Sequence, residues 1–188
     1  MKIFEVNCDA ERYQYLLWDT RGKKTFQFPD FDGARVEGNS WPPAEVYSLY
    51  PKRRTPDIWG LDIASGAIAM GTKAFDTLEC FVEMAGEALP LGYVSEQLMV
   101  VNILECLNCL DEEKSLWRKY PPHIKQKVLE MPCIRSDRLT TSTLFKSAHN
   151  PRRIFCWEEE ADPEYEFKAC VEANKLTGLL FKEVLVSQ

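Results

Sequence analysis

GTKAFDTLECFVEMAGEALPL (71–91), followed by GYVSEQLMVVNILECLNCL (92–110) and DEEKSLW (111–117), is an amphipathic segment, then a very apolar one, then an acidic exit. In the first piece Phe75, Leu78, Phe81, Val82 and Ala85 recur at spacings of three and four, with Lys73, Asp76, Glu79 and Glu83 largely opposite. That period predicts an α-helix from Thr72 to Ala85, with Thr72 as N-cap and Gly86 or Leu89-Pro90 ending it. In the second piece the run MVVNIL, with β-branched Val100, Val101 and Ile103, favours a central strand buried on both faces. A helical alternative rests on Asn102, Glu105 and Asn108 standing three apart.

Outward from this stretch, short strands are expected at Lys2 to Val6 and Arg12 to Trp18, with a turn at Arg21 to Lys24. From Phe26 to Trp59, aromatic residues alternate with glycines and prolines, which predicts an irregular layer with small strands. Asp57 to Met70 reads as strand, turn and strand. After Asp111 a short helix through Trp117 is expected, broken by Pro121-Pro122. A strand follows near Leu144 and another at Ile154 to Trp157. A second helix is expected from Pro163 to Asn174 with Asp162 as its cap, and a last strand from Leu179 to Val186. The fold class is therefore α/β (α+β): one domain, a mixed, mainly antiparallel sheet, two main helices and an aromatic-rich N-terminal layer. Residues 1–70 would form that layer and 71–188 the core, which takes in Phe75, Leu78, Phe81, Val82, Val100, Val101, Ile103, Phe155, Phe167, Val171, Leu180 and Phe181.

A chain of 188 residues with 45% hydrophobic and 28% charged residues has globular composition, and at this length it buries roughly two-thirds of its unfolded surface. Met1 to Val6 is too short and too charged for a signal peptide, and no run of about 18 apolar residues could span a bilayer. Seven cysteines scattered through apolar stretches read as reduced core thiols. A cytoplasmic protein without membrane association is expected. The net charge of −6 disfavours nucleic acid and suits a basic protein partner.

Few residues suggest chemistry. Cys106 and Cys109 form a CxxC with no second Cys or His pair, and His123 and His149 stand alone, so no metal site and no cofactor are expected. Glu105 within an apolar run needs a partner and reads as structural. Lys52-Arg53-Arg54 reads as a solvated basic loop. The run Glu158, Glu159, Glu160, Asp162, Glu164 and Glu166 reads first as a solvated loop opening a helix; its sharper reading is a face for a basic partner, carried by Glu158, Glu159, Glu160 and Asp162. No phosphate loop, nucleophile elbow or zinc-protease motif occurs. An enzyme would have to draw on dispersed carboxylates such as Asp9, Asp19, Asp57, Asp62 and Glu105. A third reading is a scaffold that homodimerises through its aromatic residues.

Three short signatures carry a family resemblance: Gly86-Glu87-x-Leu89-Pro90-Leu91, Leu110-Asp111-x-Glu113-Lys114-Ser115, and Leu176-Thr177-Gly178-Leu179-x-Phe181. In this order and spacing, over residues 70–186, the chain resembles immunity family eleven of the bacterial polymorphic-toxin systems. The resemblance implies a non-enzymatic protein made beside a secreted or contact-delivered toxin, which it binds and blocks. The binding surface varies within that family, so the resemblance assigns no interface residue.

Overall fold

The computed structural model describes residues 1–19, 31–36, 41, 45–61, 66–93, 96–119 and 127–188. The expected turn at Arg21 to Lys24, the Pro121-Pro122 break, Asp62 and His123 lie outside the described residues. The elements run β1 (Lys2–Cys8), β2 (Tyr15–Trp18), β3 (Val46–Ser48), β4 (Ile58–Leu61), β5 (Ala67–Met70), α1 (Thr72–Ala85), β6 (Gly86–Tyr93), β7 (Glu96–Ile103) and β8 (Cys106–Leu107). They continue with β9 (Leu116–Lys119), β10 (Lys127–Met131), β11 (Cys133–Arg135), β12 (Leu144–Ser147), β13 (Asn150–Glu158), α2 (Phe167–Ala173), β14 (Leu179–Glu183) and β15 (Leu185–Ser187). The fold is mixed α and β, rich in antiparallel sheet.

One sheet has the order β3-β2-β4-β5-β7-β6 and the other the order β14-β1-β13-β12-β8, with β9–β10 and β11–β15 as two small pairs. The alternation of β7 ties the layers together. Val101 and Ile103 enter the apolar cluster that holds α1, α2 and the inner face of the five-stranded sheet, while Leu98 and Val100 enter a second cluster with Leu16, Trp18 and Trp59. A strand buried on both faces is what its apolar run dictates. A third cluster, with Ile3, Phe145 and Phe155, lies across the five-stranded sheet.

The described strands of the first 70 residues are built into both sheets. Strand β1 lies between β13 and β14, and β2 to β5 supply four strands of the six-stranded sheet. Helix α1 has the predicted bounds, but its N-cap is Gly71, with no side-chain cap. The segment after it, where Gly86 or Leu89-Pro90 was expected only to end the helix, is an eight-residue strand paired along its length with β7. It is an edge strand, whose far side carries only the Glu45–Gly92 bridge among the described residues, so no ladder there needs the missing N–H of Pro90.

Three other expectations are corrected. Residues 111–115 form a turn rather than a helix: Asp111 Oδ1 accepts from Lys114 N–H (3.1 Å), and Ser115 Oγ turns inward to accept from Cys133 N–H (2.9 Å). Helix α2 starts at Phe167 with Glu166 as N-cap, because Asp162 Oδ1 is used by Glu164 N–H (2.9 Å) in the turn before it. Leu180 is 43% exposed rather than core. Its register opposite Asn7 sends Leu179 and Phe181 to the helix side and Leu180 to the uncovered face of an edge strand.

The three signatures occupy chain crossings. Gly86 passes so close to the Asn102 carbonyl that a side chain has no room. Beside it, Glu87 Oε1 accepts from Val36 N–H (2.7 Å) and Asn102 Nδ2 (2.8 Å), and Asn102 Nδ2 also donates to the Ala34 carbonyl (2.9 Å). Glu87 thus pins residues 31–36 to the sheet. Glu87→Ala should leave these donors short of an acceptor and cost about 2 kcal/mol; limited proteolysis should then cleave within residues 31–36 faster than in the parent. In the second signature Asp111 Oδ2 accepts from Ser187 Oγ (2.7 Å), holding the C-terminal strand. The third joins the two large sheets.

Candidate partner-binding surface

Strand β13 ends at Glu158, and the seven residues between it and Glu166 wind around one carboxylate. Glu166 is buried at 4% exposure. Its Oε1 accepts from the N–H groups of Glu159 (2.6 Å) and Glu160 (3.0 Å), and its Oε2 from that of Asp162 (2.9 Å). Ala161 adopts a positive φ of 58° to aim these groups inward. Burial raises the Glu166 carboxyl pKa, but the surrounding N–H donors outweigh it and hold the group below its ordinary value.

The acidic run therefore divides by role. Glu166 is the organiser. Glu158 turns to Lys168, whose Nζ lies 3.3 Å from both of its oxygens and 3.0 Å from Glu172 Oε2. Lys168 sits over the Phe4 ring at 4.8 Å, so this ion pair rests on the core. Asp162 is half-buried and shapes the turn. Glu159, Glu160 and Glu164 are exposed, and no ion pair among the described residues holds them. Between them Tyr165 projects at 67% exposure. Reading the run by charge alone missed Tyr165; the signal was an aromatic residue between Glu164 and Glu166.

Of the dispersed carboxylates, Asp9, Asp57 and Glu105 each have a side-chain partner of their own. Asp9 meets Arg12 Nε at 2.5 Å, Asp57 holds Thr177 and Lys73, and Glu105 Oε1 accepts from Thr140 Oγ1 at 2.7 Å. Asp19 lies at the end of β2, where its N–H donates to the Glu45 carbonyl. Among the described residues no group of three or more His, Cys, Asp or Glu side chains could hold a metal ion. Cys106 packs against Gly33 beside Lys146, while Cys109 is buried in the cluster across the sheet, where burial pushes its thiol up to about 11. Exposed His149 stands edge-on to Trp117, with ring centroids 5.4 Å apart. In the basic loop, Arg53 stacks on Tyr50 at 3.7 Å and donates to the Ala10 carbonyl, leaving Lys52 and Arg54 exposed.

Lys146 is fully buried and donates to the Phe31 carbonyl at 2.8 Å; burial lowers its pKa to about 8. A cleft of about 440 Å³ between β1 and β4–β5 contains the Arg153–Glu5 pair at 3.4 Å. Another, of about 500 Å³ at the start of α1, contains Asp57 and Lys73. In both, the named acid and base already face each other. No helix among the described residues is long and apolar enough to cross a membrane.

No protein-family model and no curated protein matches the chain.

Proposed function

We propose that this protein is an immunity protein that binds and neutralises a cognate bacterial toxin through direct contact, with the 159–165 loop facing a basic surface of that toxin. The reading is supported by the order and spacing of the three signatures. The observation that carries the choice of surface is the loop itself: three unpaired carboxylates around a protruding tyrosine, held on a buried carboxylate. A rigid aromatic anchor ringed by charge suits a partner that must be caught quickly and kept.

Glu159, Glu160 and Glu164 steer encounter, and Tyr165 supplies buried contact. Glu159→Lys, Glu160→Lys and Glu164→Lys together should slow association by about tenfold and flatten its salt dependence. Tyr165→Ala should act on dissociation instead, raising its rate by about tenfold or more. The first experiment is co-expression with the product of the adjacent reading frame, followed by pull-down and a growth test. A stable complex with restored growth is the expected result. A non-toxic neighbour that fails to bind would overturn the reading.

A further inference from the structure

Each helix of the α1–α2 packing seam carries a cysteine beside it, Cys80 on α1 and Cys170 on α2. Phe81 and Phe167 pack edge to face across it, with centroids 6.0 Å apart. One turn along, Cys170 Sγ lies 3.8 Å from the Thr77 carbonyl oxygen of α1. Cys80 follows Thr77 by three residues, and helical side chains lean back over the preceding turn, so its sulfur is directed toward the same place. Cys80 is exposed, Cys170 is buried, and Cys80 is the one cysteine of the seven classed as exposed. Asn174 Nδ2 contacts Cys170 Sγ at 3.5 Å and its carbonyl at 2.9 Å, which orients the buried sulfur.

We propose that Cys80 and Cys170 form a reversible disulfide when the protein meets hydrogen peroxide, clamping α2 onto α1. Cys80 is the thiol that peroxide reaches. Its sulfur takes one peroxide oxygen to become a sulfenic acid, and the other oxygen leaves as water. The Cys170 sulfur then attacks the Cys80 sulfur, the S–O bond breaks, and a second water leaves. Two thiols and one peroxide thus give one disulfide and two waters; two thiols of a reductant reverse it. Burial, and then the nearby Cys80, raise the Cys170 thiol above its ordinary pKa, which makes it the less reactive thiol toward peroxide and leaves Cys80 to be oxidised first. Because α2 begins next to Glu166, the bond would fix the base of the acidic loop.

The test treats the purified protein with excess hydrogen peroxide and maps its peptides by mass spectrometry with and without reductant. The expected product is one cross-link between the peptides containing Cys80 and Cys170, with the thermal midpoint raised by about 5 °C and restored by reductant. Cys80→Ser, a surface change that leaves the core intact, should abolish both the cross-link and the shift. Cys170→Ala should instead leave Cys80 to run on to sulfinic acid. Sulfinic acid at Cys80 in the parent protein, or a cross-link that persists in Cys80→Ser, would overturn the proposal.

Discussion

Gly178→Ala is expected to lower stability by about 3–5 kcal/mol, a fall of about 10 °C in thermal midpoint. Two independent reasons add. Gly178 has φ +108°, a region that side chains rarely adopt. A Cβ there would also press into the Ile58 carbonyl oxygen and stand 2.8 Å from Pro56 Cβ. Neither can yield cheaply, because this is where the two large sheets are joined. Ile58 N–H donates to the Thr177 carbonyl at 3.0 Å, and Asp9 N–H to the Gly178 carbonyl at 2.9 Å. Thr177 donates twice to Asp57 Oδ2, from N–H at 2.8 Å and Oγ1 at 2.7 Å. Burial raises the Asp57 carboxyl, but these bonds and Lys73 bring it below its ordinary value. Displacing Ile58 breaks the set together. Gly71→Ala is the control: Gly71 has φ −71°, and its Cβ would lie 3.7 Å from the Asp57 carbonyl, an ordinary contact. It should shift stability by less than about 1 kcal/mol. Urea denaturation of both variants decides, and equal midpoints would mean that the close approach at Gly178 can relax.

The elements legible in the sequence were those whose information is local and periodic. The apolar face of α1 and the β-branched run of β7 each set one element by themselves, and the core residues they named are buried, Phe75 only partly. Illegible were features fixed by residues far away in the chain. Strand β6 contains Gly86, Pro90 and Gly92, all poor strand formers, and exists because β7 pairs with its whole length. Glu105 finds its hydrogen bond 35 residues on, at Thr140. Leu180 reads as core by composition, and only the pairing of β14 with β1 puts it on the open face. The acidic run was visible as charge. Its division into a buried organiser, a core ion pair and three free carboxylates was not, because backbone N–H groups leave no trace in composition.

That division makes Glu166 the second site of large effect. Glu166→Ala removes the acceptor of three inward-pointing N–H groups and is expected to cost about 3 kcal/mol; Glu166→Gln keeps the shape and one accepting oxygen but loses the charge and the second acceptor, costing about 1–2 kcal/mol. The pH dependence separates charge from shape. The folded-state pKa of Glu166 lies below its unfolded value. Its charge therefore contributes stability that is fully present above the unfolded value of about 4.3 and is lost as pH falls through the folded value. The stability difference between parent and Glu166→Gln should hold from neutral pH to about pH 5 and shrink below about pH 4. Asp57, also depressed, is common to both proteins and cancels in the difference. A pH-independent difference would assign the loss to packing alone. On the proposed function, Glu166→Gln leaves every exposed carboxylate in place, so early electrostatic steering of a basic toxin should survive. What should suffer is the fixed presentation of Tyr165. Its signature is faster dissociation with an unchanged salt slope of association, the opposite of the pattern expected when Glu159, Glu160 and Glu164 are reversed in charge.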